Sequence, residues 1–190
     1  MFAVLFEVHP RSGQYDSYLG WAKLLRPELE SVPGFVENVR YRSLTRPGWI
    51  LSLSTWRDEH ALVHWRNHAQ HHEAQERGRT EIFSDYHLRV GELTDETQHG
   101  SAAIVTLIDG QRPPEFIKSA KPEELAKGLG LPSHSEESDE WDVFEAVLTP
   151  GDIILMVSFE GVVSVAGVRL RRVRVIRDYG MYDRREAPQY

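Results

Sequence analysis

Apolar and polar positions change period several times along the chain, and each change marks an element. Residues 2–8 form a short apolar run that His9-Pro10-Arg11-Ser12-Gly13 interrupts, which predicts a strand followed by a loop. Tyr15, Tyr18, Leu19, Ala22, Leu25 and Leu29 then recur at helical spacing, predicting an amphipathic helix over 14–31 that Val32-Pro33-Gly34-Phe35 ends. Two strands, 35–44 and 48–56, flank Thr45-Arg46-Pro47-Gly48 as a hairpin. A second helix over 59–77 starts after Asp58, whose carboxylate suits an N-cap, and stops at Gly78. A strand over 82–93 closes the series. The order strand, helix, strand, strand, helix, strand is the ferredoxin-like arrangement.

The pattern then recurs in weaker form. Leu44-Thr45-Arg46-Pro47-Gly48-Trp49-Ile50-Leu51 resembles Leu148-Thr149-Pro150-Gly151-Asp152-Ile153-Ile154-Leu155, Trp56 lies over Phe159, and Asp85-Tyr86 matches Asp178-Tyr179. Strands are predicted over 102–108, 142–148, 152–159 and 171–182. Prolines and glycines between Pro113 and Pro132 blur the first helix of this half, Ser133 to Glu140 is a polar loop, and the second helix shrinks to roughly Gly161–Gly167. A repeat of this length is too long for a solenoid and fits two small domains in tandem. The expected fold is therefore α+β: two tandem ferredoxin-like units, residues 1–98 and 99–190, packed sheet to sheet as an α+β barrel, the second unit degenerate. An uncovered edge strand would allow a homodimer of such tandem units.

Composition narrows the chemistry. With no cysteine, disulfides, thiolate nucleophiles and cysteine-ligated metals are excluded. A net charge of −7 argues against a nucleic-acid partner, and no apolar run is long enough for a membrane span. The first residues lack the character of a signal peptide, so a cytoplasmic location is expected. The five arginines between Arg169 and Arg177 fall on both faces of a strand, as a solvated edge or an anion site.

Ser54-Thr55-Trp56-Arg57-Asp58, Ala61-Leu62, Trp65-Arg66, Ala74-Gln75, Gly78-Arg79 and Phe83-Ser84-Asp85-Tyr86 resemble the antibiotic biosynthesis monooxygenase superfamily over residues 1–95, and weakly over 101–186. The resemblance implies a dimeric α+β barrel with a pocket between sheet and helices. It also implies one of three activities: cofactor-free oxidation of aromatic polyketides, haem binding or degradation, or none known. In the haem-degrading branch Trp65 matches a haem-facing tryptophan, but the iron-ligating histidine is replaced by Gln75 and the first-strand asparagine by Glu7 or Val8. In the cofactor-free branch the nearest matches are Trp65, Asn67, His68, Arg79 and Tyr86.

The helix itself carries His64, His68, His71 and His72. On a continuous helix centred on Trp65, Ala61, Leu62, Ala69 and His72 fall on the inward face, His68 at its border, and His64, Gln75 and His71 outside. Such a stretch is a solvated face, a haem or metal site using His72 and His68, or an acid–base site; Trp65 is equally at home in a core. Glu7 and His9 share one face of the first strand, where a buried carboxylate would exchange protons with substrate. Trp21 on the first helix and Tyr86 are expected to line the same pocket. The leading expectation is an oxidoreductase acting on a small hydrophobic, aromatic or quinone-like substrate without a cofactor, Trp65 orienting it, His68 or His72 moving protons, and Asn67 and Arg79 holding oxygens. The alternatives are a haem protein with His72 or His68 on iron and a non-catalytic module for a hydrophobic ligand.

Overall fold

The computed structural model describes residues 1–95, 103–113, 121–132, 140–158 and 165–188. The periods read from the sequence become β1 (Phe2–Pro10), α1 (Tyr15–Ser31), β2 (Phe35–Ser43), β3 (Ile50–Trp56) and β4 (Phe83–Thr94). In the second half they become β5 (Ile104–Gln111), a short α4 (Pro122–Gly128), β6 (Trp141–Ala146), β7 (Asp152–Val157) and β8 (Arg169–Gly180). The helix expected over Gly161–Gly167 and the loop from Ser133 lie largely outside the described residues, as does Phe159.

Hydrogen-bonded strand neighbours run β1-β3-β2-β6-β7-β5-β8-β4 and close on β1. Each half contributes four adjacent strands, β4-β1-β3-β2 and β6-β7-β5-β8, and in both the first strand lies between the third and the fourth. That is the α+β ferredoxin-like order.

By compactness the chain forms two units. One comprises residues 1–39, 52–90 and 177–190, the other 40–51 and 91–176. The division follows strand pairing, not a single point in the sequence, because the end of β2 pairs with β6 (Tyr41 with Ala146, Ser43 with Phe144) and the start of β8 with β5 (Ile104 with Arg174).

In the second unit the core is Ile108, Leu125, Leu129, Val143, Ile153, Leu155 and Val157. Gly110 admits α4: a Cβ there would collide with Leu129. Buried carboxylates at the sheet are all met. Asp142 accepts from Ser43, Thr45 and Arg46, and burial nevertheless pushes its carboxyl up. Burial acts the same way on Glu145, but Arg42 and Arg112 more than offset it and hold that carboxyl below its usual range. Three of the five arginines between Arg169 and Arg177 are paired with acids, while Arg169 is exposed. Arg171 grips Asp109 at 2.5 Å, and Arg174 pairs with Glu92. In the other unit Arg177 reaches Glu59 at 3.0 Å.

In the first unit α1 buries Tyr18, Leu25 and Leu29. Leu25 and Leu29 join Val32, Trp56, Ala61 and Trp65 in the helix–sheet core. Asp58 caps the following helix as expected: its Oδ1 accepts from the Ala61 amide at 2.9 Å, and this bond with Arg57 lowers its carboxyl. The expected single helix over 59–77 is in fact two, α2 (Glu59–Arg66) and α3 (Ala69–Arg77), followed by a π-helical turn, Gly78–Ile82. Asn67 makes the last bond of the helical ladder, its N–H donating to the Val63 carbonyl at 3.1 Å, and His68 is extended at φ −65°, ψ 130°. Asparagine competes with a helix through its own side chain, which makes Asn67 a natural end point.

Candidate functional site

The break after α2 resets the helical azimuth and overturns the inward-face assignment. Ala69, expected inside, is exposed, and His72 is half-buried. His71, expected outside, lies flat on the Trp65 indole, with ring centroids 4.4 Å apart and planes 15° from parallel. Its Nδ1 lies 3.0 Å from the Trp65 carbonyl oxygen. A carbonyl only accepts, so this shorter contact puts the proton on Nδ1 and leaves the lone pair on Nε2; the Gln75 amide nitrogen, 3.3 Å from the same Nδ1, then makes no hydrogen bond to it. The residue is half-buried as a whole, but its ring is covered by the indole. That desolvation, reinforced by charge on His68 and His72 and opposed by the Trp65 carbonyl, lowers its pKa to about 4. His71 is therefore a neutral imidazole through the physiological range.

His68 stacks on the same indole at 5.6 Å and 24°. Its Nε2 stands 3.8 Å from Glu28 of α1, and its Nδ1 is buried without a partner. Trp65 is only 7 % exposed and packs into the core with Leu25, Leu29 and Trp56. One cluster thus gathers Trp65, His68 and His71. The other helix candidates stand apart: Asn67 is exposed at the end of α2, and Arg79 is half-buried in the π-helical turn. Trp21 faces the Arg77 guanidinium, 5.3 Å from its ring centroid.

Iron ligation requires an imidazole nitrogen with an open side. At His68 the Glu28 carboxylate of α1 stands 3.8 Å from Nε2, and Nδ1 is buried. Among the described residues no three His, Cys, Asp or Glu side chains converge as a metal site.

The strand candidates form a second group. Glu7 is not an isolated buried acid, because its Oε1 accepts from Arg89 Nη2 of β4 at 2.5 Å, both side chains being almost wholly buried. His87 Nδ1 lies 3.7 Å from the same oxygen, and its Nε2 meets Asp178 at 2.5 Å. Arg89, Glu7, His87 and Asp178 thus run from the interior to an open cleft of about 490 Å³ lined by Asp85, Tyr86, His87, Asp178 and Arg185. His9 Nδ1 pairs with Ser84 Oγ at 2.7 Å. Tyr86 is buried beside Phe6, ring centroids 5.7 Å apart, and its hydroxyl accepts from Arg184. Sequence reading missed His71, Arg89, His87 and Asp178. Only the alternation of β4, which puts residues 87 and 89 on one face, hinted at the last group.

A sequence model of the family described as antibiotic biosynthesis monooxygenase matches residues 1–77. Along its whole length the chain is 46% identical to the Jasmonate monooxygenase ABM of Pyricularia oryzae (strain 70-15), an alignment that spans 98% of that protein. The chain belongs to the antibiotic biosynthesis monooxygenase family. A further family-sized match is the uncharacterized protein YqjZ of Bacillus subtilis (strain 168), 36% identical over 63 residues, which are 32% of this chain and 52% of that one. The solved structure of an anthrone oxidase-like protein aligns with a TM-score of 0.38 at 12% identity, covering 99% of this chain and 96% of the other; a likeness of that degree carries no argument about chemistry. Membership accounts for the ferredoxin-like order. No helix among the described residues is long and apolar enough to cross a membrane.

Proposed function

We propose that this member of the antibiotic biosynthesis monooxygenase family oxidises a small ring compound held at the Trp65, His68 and His71 cluster. The observation that carries the reading is the end-to-end identity with a relative named for a jasmonate monooxygenase. Jasmonate, a cyclopentanone with a carboxylate arm, is accordingly the first substrate to test. The flat stacking on Trp65 supports a second class, the aromatic phenol or anthrone.

The two classes differ in electron balance. An anthrone-type substrate supplies both electrons itself: its ring methylene becomes a carbonyl with one oxygen atom of dioxygen, and the other leaves as water with the two methylene hydrogens. Hydroxylation of a C–H bond of jasmonate inserts one oxygen atom, and reduction of the other to water takes two electrons and two protons from an external reductant. In either case Trp65 would position the ring. The tandem reading belongs to the same proposal: two copies of one unit, of which the first kept the site.

Oxygen uptake and isotope-labelled dioxygen test it. Jasmonate with a nicotinamide reductant, or an anthrone without one, should yield a product carrying one labelled oxygen atom. Absence of uptake with both classes, with and without reductant, would overturn the proposal.

A further inference from the structure

Helix α3 is attached to its unit differently from the two helices before it. α1 buries three residues and α2 buries Ala61 and Trp65, whereas α3 buries none completely. Both of its ends are irregular. At the start, Asn67 and His68 leave the helical conformation and no side chain caps the first amides. At the end, the π-helical turn begins at Gly78, which lies so close to Phe83 that a Cβ would sit 2.7 Å from that ring. Such turns are frequent where a helix yields for function.

Between these joints α3 makes flat contacts. His71 and His68 lie on Trp65, and the Arg77 guanidinium lies over Trp21, while Ala74 only borders the apolar core. A segment with little buried aliphatic area opens at lower free energy than its neighbours.

The imidazole of His71 has the size of a five-membered ring, lies parallel to an indole and donates one hydrogen bond to a backbone carbonyl. That is how a small ligand would bind there. We propose that α3 is a lid, and that His71 occupies in the closed protein the place on Trp65 that a ligand ring takes when the lid swings out about Asn67–His68 and Gly78. The ligand is a five- or six-membered ring lying against Trp65, and a ring that carries an N–H or O–H also replaces the Nδ1 donor. This rests on Trp65 being the substrate side of the molecule, as proposed above.

Two measurements test it without turnover, so the lid stands or falls apart from the monooxygenase reading. In hydrogen exchange of the wild-type protein, amides 70–77 should exchange together and well ahead of those of α1 and α2. In His71→Ala the vacated place should bind added imidazole saturably, with a change in tryptophan emission that His71→Phe does not show. Exchange of α3 in step with α2, or a folded His71→Ala that takes up no imidazole, would overturn the proposal. Should His71→Ala not fold, the exchange pattern decides alone.

Discussion

Acid should loosen this protein through a single imidazole. In the unfolded chain His71 titrates at its ordinary value of 6.5, and in the folded protein at about 4. Between those values the unfolded state binds a proton that the folded state refuses, so stability rises with pH across this window. The contribution is fully present above pH 6.5 and lost as pH falls toward 4. A difference of about 2.5 pH units at ~1.36 kcal/mol each makes it at most about 3.4 kcal/mol. The neighbouring charges do not reverse the sign: His68 and His72 on the same segment disfavour protonation, and the nearest carboxylate of α1, Glu28, lies against His68. His71→Phe keeps a flat ring on Trp65 and has nothing to titrate. Urea unfolding of both proteins at steps from pH 4.5 to 7.5 isolates the term, because the remaining acids and histidines are common to both. The wild type should lose about 2–3 kcal/mol more than His71→Phe over that range. Parallel profiles would refute the reasoning and place the His71 ring in water.

Three further outcomes follow from the geometry. Arg89→Met strands the Glu7 carboxylate in the interior and should cost roughly 3–5 kcal/mol in denaturant unfolding, with most of it recovered in the Glu7→Leu, Arg89→Met double variant; equal losses in single and double variants would show the pair to be independent. Gly78→Ala drives a methyl toward Phe83 and should destabilise by about 1–3 kcal/mol, an effect that Phe83→Leu relieves in combination; a neutral single variant would contradict the close approach. Trp65→Phe should leave the melting temperature within a few degrees yet lower kcat/KM for the substrate at least ~10-fold; full turnover would confine Trp65 to packing.

What could be read in advance separates along a physical line. Strand and helix positions followed from period, and the ferredoxin-like order from their succession, because burial on one face imposes those periods locally. The bounds of β1, α1, β2 and β4 accordingly moved by only a few residues. The histidine helix failed at one point. Apolar spacing runs through Asn67 without a flaw, and the cost of ending a helix there is smaller than the packing that decides it, so an azimuth extrapolated from Trp65 pointed to His72. Two non-helical residues rotate the chain and deliver His71 instead. The Glu7–Arg89 and His87–Asp178 pairs were out of reach for another reason. Their members lie 82 and 91 residues apart, and only strand register brings them together. A charge pattern along one strand says that a partner is needed, since a buried carboxylate cannot stay unmet. It does not say which strand supplies that partner. The arginines of β8 make the same point from the other side: Arg171, Arg174 and Arg177 looked free only because Asp109, Glu92 and Glu59 are distant in sequence.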